Sequence, residues 1–388
     1  MELAERMGRL GTESAFEVLA RAKALESQGV DVVHLEIGEP DFETAPHIKA
    51  AAVEALDAGY THYVPSAGIT EVRQAVARNA GERRGLEYDW GQVIITPGAK
   101  PIMFFTLLAL AEPGAEVIYP DPGFPIYASM VNFCGAKPVP MPLRGELDYH
   151  PDLDEFASLV NENTRLVILN SPHNPCGSVL SPEEIAAIAE IVRDRSDAYV
   201  LSDEVYKDLL YTGAHASIAA MPGMQDRTII LDGLPKSYAM TGWRLGYGVF
   251  PQPLVEGVTK LAVNSVSCAS AFSQMAMIAA LEGPQDAVSA MREEFLKRRD
   301  VVVEGLRSIP GVTCPMPEGA FYAFPSIGGT GLTSAEFEAK ALQDAGVAVL
   351  SGSAFGKYGE DCVRLSYANS IENIQKAIDR LRDMVESL

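Results

Sequence analysis

Basic side chains are scarce in this chain: 31 Lys and Arg stand against 52 Asp and Glu, a formal charge of −21. A surface of that sign repels polyphosphates and anionic lipid headgroups, so neither nucleic acid nor a membrane is an expected partner. Cysteine is also sparse. Cys134, Cys176, Cys268, Cys314 and Cys362 are odd in number and scattered, with no Cys-x-x-Cys pair, which excludes a disulfide framework and a zinc site from expectation. No apolar run is long enough to cross a bilayer, and the opening Met1-Glu2-Leu3-Ala4-Glu5-Arg6 lacks the basic-then-apolar order of a signal peptide. The expectation is a cytoplasmic protein. Repeats and low-complexity linkers are missing too, so organisation must be read from the order of elements.

What is present is an ordinary globular balance, 47% hydrophobic and 21% charged over 388 residues, enough for two domains or one large α/β unit and too apolar for disorder. Short runs rich in Val and Ile at Val93 to Thr96, Glu116 to Tyr119, Leu166 to Asn170, Tyr199 to Ser202 and Thr228 to Leu231 are each followed by Gly, Pro or Asp. Amphipathic stretches such as Ile102 to Ala111 and Pro182 to Asp194 lie between them. Alternation of this kind predicts a wound α/β fold with a mainly parallel sheet. From about Met291 to Leu388 the pattern changes to long terminal helices with strands near Phe321 to Pro325 and Val363 to Ser366, which predicts a smaller α+β domain. The expected division is an N-terminal arm contributing to the small domain at 1–40, a large domain at 41–285 and the small domain at 286–388.

Open α/β sheets bind ligands beyond the carboxyl ends of their strands, and four strand ends here carry chemistry. Gly98-Ala99-Lys100-Pro101 suits a helix start whose free amides face an anion. Asn170 to Pro175 follows a second strand and Asp203-Glu204-Val205-Tyr206 a third. Asp203 extends an apolar run and, if buried, needs a cation such as a protonated ring nitrogen. At the fourth end stands Lys236 among Leu234, Pro235 and Tyr238, surroundings that desolvate an ammonium and free the neutral amine for a Schiff base. Arg244, eight residues on, can fork onto a phosphate dianion. Arg364 sits in an apolar strand where a guanidinium demands a partner. Plainer readings exist: a simple strand-to-helix turn at Gly98, a helix cap for Asp203, a structural ion pair for Arg364.

The stretch Lys236-Ser-Tyr-Ala-Met-Thr-Gly-Trp-Arg-Leu-Gly246 resembles the cofactor-lysine motif of the class I/II aminotransferases, fold type I enzymes that use pyridoxal 5'-phosphate, and the likeness runs in family order from about residue 13 to 385, nearest the aspartate-using branch. It implies a homodimer with shared active sites that moves an amino group between an amino acid and a 2-oxo acid. By the same likeness Lys236 holds the cofactor aldehyde and moves the proton, and Asp203 faces the ring nitrogen. Tyr206 and Asn174 meet the phenolic oxygen, and Phe124 stacks on the ring. Gly98, Ala99, Lys100, Arg244 and the partner subunit's Tyr63 hold the phosphate. Arg364, Gly38 and Asn174 take the substrate α-carboxylate, and Lys100 a side-chain carboxylate. Two departures stand out. Gly233 and Pro235 replace hydroxyl residues before the lysine, and the arm reads Ser14-Ala15-Phe16-Glu17-Val18, so Glu17, if turned inward, would repel a second carboxylate. A carbon–sulfur β-lyase of the same fold and an aminotransferase-derived DNA-binding regulator are the competing expectations; the acidic charge disfavours the second.

Overall fold

The computed structural model describes residues 3–388. Its strands, in chain order, are β1 (Val33–His34), β2 (Val93–Thr96), β3 (Glu116–Asp121), β4 (Lys137–Pro142), β5 (Thr164–Asn170), β6 (Tyr199–Asp203), β7 (Thr228–Gly233), β8 (Gly246–Val249), β9 (Tyr322–Ala323), β10 (Val347–Ala348), β11 (Leu350–Ser351) and β12 (Val363–Ser366). Seven form one sheet in the order β2-β8-β7-β6-β5-β3-β4. All neighbours are parallel except β8, which runs against β2 and β7. This is the expected mainly parallel α/β sheet, and every predicted strand of it is present. No helix among the described residues is long and apolar enough to cross a membrane.

Two strands of this sheet escaped the sequence pattern. β4 reads Lys-Pro-Val-Pro-Met-Pro, a composition that argues against a strand. It survives at the sheet edge because N–H groups alternate in direction along a strand. Lys137 and Leu143 donate to the carbonyls of Ala115 and Asp121 on the β3 side, so Pro138, Pro140 and Pro142 fall on the free edge where no donor is needed. β8 holds two glycines that its neighbours demand: a Cβ on Gly246 would come within 2.3 Å of the Ala99 nitrogen, and one on Gly248 within 2.5 Å of the Phe250 ring. The missing side chains let the Gly98–Ala99 turn lie directly on the sheet.

A second, three-stranded antiparallel sheet, β11-β12-β9, belongs to the C-terminal part. Early and late segments meet where Val33 pairs with Val347 in parallel. The helix Ile371–Glu386 buries Ile374, Ala377, Ile378, Leu381, Met384 and Val385, a stripe at helical spacing. It joins Phe295, Val302 and Leu306 of the helix Asp286–Arg307 and Phe321 of the chain in one apolar cluster. The arm is anchored twice. Gly11 N donates to Ser129 Oγ at 2.8 Å, and the helix Ala15–Glu26 buries Val18 and Ala22, four residues apart on one face.

Phe295 is fully buried, stacked on Phe321 at 5.1 Å and edge-on to Phe42 at 5.3 Å. Phe295→Ala should therefore cost about 3–5 kcal/mol of stability, read as a lowered denaturation midpoint. A loss under about 1 kcal/mol would mean that the cluster closes over the vacancy.

Candidate active site

The carboxyl ends of β2, β5, β6 and β7 open onto one cavity of about 390 Å³, lined among others by Ala99, Lys100, Phe124, Asn174, Asp203, Tyr206, Lys236, Arg244 and Arg364. Each reaches it for a local reason. The helix Lys100–Leu110 begins there with Pro101 in its first turn and no side-chain cap, leaving its leading amides in need of an external acceptor. Gly98 has a left-handed φ of +92°, and a Cβ on it would meet Arg244 Nη2 at 2.5 Å. The Arg244 guanidinium thus lies against the turn that starts the helix, steadied by its donation to the Thr241 carbonyl at 3.0 Å. A guanidinium beside free helix amides is the donor set a phosphate dianion requires.

Lys236 leaves the end of β7, and its Nζ donates to the carbonyl oxygen of Gly38. Burial pushes its ammonium down to about 8, and Arg364 nearby adds to the effect. No carboxylate lies within ion-pair distance among the described residues, and the more distant Glu39 and Glu13 pull the other way without offsetting the burial. Asp203 ends β6, buried. Burial pushes its carboxyl up to about 7 against the pull of Tyr127, whose hydroxyl donates to Oδ2 at 2.5 Å, and of the Val205 amide. It has no basic side chain within ion-pair distance among the described residues, and the environment is one that a cationic ring nitrogen would complete.

On the opposite wall, Arg364 of β12 donates to Asn174 Oδ1 at 3.1 Å and to the Glu36 carbonyl at 2.6 Å, while its buried Nε has no partner. Its guanidinium lies 4.6 Å from the Tyr322 ring centroid. Burial lowers its pKa, yet a guanidinium stays charged. Tyr322 also shares a hydrogen bond with Tyr206 at 2.8 Å, and it explains Gly38: a Cβ there would meet the Tyr322 hydroxyl at 2.3 Å. Burial raises the Tyr206 phenol well above its ordinary value. The donor set fits a planar, phosphorylated pyridine aldehyde: an amine of low pKa, an acid awaiting a cation, an anion cradle and an aromatic cover in Phe124.

Gly98 stands just behind the lining, against Arg244, whereas Tyr63 is not brought to this chain's own cavity; it is 90% exposed and lies outside the lining. Glu17 points away, which corrects the inward orientation considered from the sequence. On the helix that buries Val18 and Ala22, position 17 falls on the solvent side, and the acid that enters the cavity from the arm is Glu13. Lys100 is not free either, because its Nζ is ion-paired with Glu13. Gly233 packs within 3.1 Å of Gly246 Cα, measured from an added Cβ, so a hydroxyl side chain at that position would crowd the sheet.

Tyr127, Tyr322 and Asn170 were not singled out in the sequence. Asn170 accepts from the Asn174 amide and donates to the Asp203 carbonyl. Its place at a strand end was a usable signal. The two tyrosines belong to no motif of the sequence, and only their hydroxyl partners reveal them.

Comparison with known proteins agrees with this geometry. The family model for Aminotransferase class I and II matches residues 30–381. An aspartate aminotransferase of Pyrococcus horikoshii is 40% identical, over 99% of this chain and 97% of its own length, and an aromatic-amino-acid aminotransferase of Thermococcus litoralis is 38% identical over 100% and 99%. The structure of a Thermus thermophilus aspartate aminotransferase with maleate superposes with a TM-score of 0.94 at 35% identity, covering 99% of this chain and 100% of the other. The chain belongs to the class I and II aminotransferases and is a pyridoxal-phosphate enzyme of their fold.

Proposed function

We propose that this aminotransferase takes glutamate or aspartate as amino donor and hands the nitrogen to a 2-oxo acid. The observation that carries the reading is a cavity with cations at separate stations: Arg244 at the helix start, Arg364 on the far wall, and Lys100 between arm and Phe124. A phosphate would take the first, an α-carboxylate the second and a side-chain carboxylate the third. Bound there, the cofactor supplies an aldehyde for the substrate amine and a cationic ring that draws electron density from the substrate α-carbon.

The chain's own groups do the rest. Lys236, whose neutral form gains as pH rises through about 8, takes the proton from the α-carbon and returns it. Asp203 stays ionised against the ring nitrogen, with Tyr127 fixing its orientation. Tyr206 and Asn174 meet the phenolic oxygen, Phe124 covers the ring, and the amides of Gly98, Ala99 and Lys100 serve the phosphate. Arg364 with the Gly38 backbone orients the α-carboxylate. Tyr63, exposed here, suits a homodimer in which it reaches the phosphate of a second copy. The arm at 1–40, the large domain at 41–285 and the small domain at 286–388 remain our division of the chain, supported by the separate sheets. Five cysteines without disulfides suit a reducing cytoplasm.

A second reading, a neutral or aromatic amino acid as donor, draws support from one feature: Glu13 occupies Lys100, and Phe16 lines the same cavity. The test is a substrate panel. Lys100→Ala should lower kcat/KM for glutamate and aspartate roughly tenfold or more, about 1.4 kcal/mol, with a far smaller loss for alanine. Equal losses would move the assignment to neutral or aromatic substrates.

Two further outcomes follow from the acid–base geometry. The neutral form of Lys236 is the reactive one, so the rate at which apoenzyme takes up pyridoxal phosphate should climb as pH rises through about 8 and level off above. A midpoint near the ordinary lysine value of about 10.4 would contradict the desolvated site, and Lys236→Ala, which should abolish turnover, is the control. Asp203→Ala should leave a folded protein whose turnover is lower by about two orders of magnitude or more. Near-normal turnover would make Asp203 a purely structural acid.

A further inference from the structure

Glu13 stands two residues ahead of the helix Ala15–Glu26 and lines the same cavity as Lys236 and Arg364. It is not carried on a loose tail. The arm is pinned before it by the Gly11–Ser129 hydrogen bond and after it by buried Val18 and by the Arg21–Glu338 ion pair. Between those anchors the Glu13 carboxylate accepts from Lys100 Nζ, with its own side chain only 21% exposed. Lys100 is the one basic group within ion-pair distance of it among the described residues. Its charge also acts across the cavity on Lys236, Arg364 and Tyr322.

A carboxylate already seated on Lys100 occupies the place that a substrate's side-chain carboxylate needs. We propose that Glu13 is a specificity-determining residue: it competes with the distal carboxylate of acidic substrates for Lys100, and so shifts selectivity toward substrates whose side chains leave the Glu13–Lys100 pair intact. The inference rests on the reading of Lys100 given above. A dicarboxylic substrate must break the pair and then sit beside the displaced Glu13, whose like charge opposes it. A neutral side chain faces neither cost; it meets Phe16, Ile37 and Phe124 over an intact pair.

The test uses the holoenzyme and maleate, a dicarboxylate with no amine to transfer, titrated calorimetrically, with kcat/KM for aspartate and alanine alongside. Glu13→Gln should tighten maleate about threefold to tenfold, as expected for a partly exposed ion pair. It should raise the aspartate-to-alanine ratio of kcat/KM by a similar factor, and Glu13→Asp, which keeps the charge on a shorter stem, should fall between. In a Lys100→Met background the gain from Glu13→Gln should shrink or reverse. Unchanged or weakened maleate binding in Glu13→Gln, with Lys100→Met still weakening it, overturns the competition while sparing the reading of Lys100. Maleate binding indifferent to Lys100→Met overturns both. Melting curves establish that each variant is folded, and the Asp variant supplies an independent comparison should Gln disturb the arm.

Discussion

The site depends on a buried ionic cluster directly behind it. Glu204 follows Asp203, and adjacent strand residues point to opposite sides, so one carboxylate faces the cavity while the next turns into the protein. There Glu204 meets Arg84 Nη2 and His215, and accepts from Ser202 and Ser217 at 2.8 and 2.6 Å. Asp232, just before the segment that delivers Lys236, binds Lys207 at 2.8 Å and the Tyr247 hydroxyl at 2.6 Å, with Arg84 at 3.8 Å. Lys207 is the neighbour of Tyr206. Burial alone would raise the Glu204 carboxyl, but Arg84 and His215 hold it well below its ordinary range. Such a network is costly to break at one member, since the others are left unpaired away from water. It ties the segments carrying Asp203, Tyr206 and Lys236 into one rigid support.

Lys207 and Lys236 make the governing contrast. Both are buried lysines, and burial acts on each in the same direction. Lys207 has two carboxylates, Asp208 and Asp232, within 3.3 Å, and its pKa ends far above the ordinary value. Lys236 has none at that range and ends near 8. The difference between a structural cation and a reactive amine is thus a matter of partners. The same logic separates Asp203, which lacks a cation and is pushed up, from Glu204, which has one and is held down.

Much of the architecture was legible because parallel strands buried on both faces write themselves as short Val and Ile runs, and because Gly, Pro and Asp punctuate their ends. β4 and β8 were not legible. Prolines are allowed in β4 only because it lies at an edge, and Gly246 is required in β8 because a distant turn packs on it. The motif residues were legible at the level of identity. Of those assigned to this chain's own cavity, Lys236, Asp203, Tyr206, Phe124, Asn174, Arg244, Ala99, Lys100, Gly38 and Arg364 all line it, and Gly98 lies against Arg244. The orientation of the arm was less legible: Glu17 and Glu13 are four residues apart, and only the start of the helix decides which of the two faces the cavity.

The amino-acid order by itself determined the wound sheet, the chemistry at its four strand ends and the likeness to a pyridoxal-phosphate family, because periodicity and residue type are local properties. The tertiary structure alone decided which charges have partners. Lys100 is held by an acid 87 positions away, Arg364 by an amide 190 positions away, and Asp203 by a tyrosine 76 positions away. Ion pairing and desolvation are set by distance in space, and sequence separation carries no information about that distance until the chain has folded.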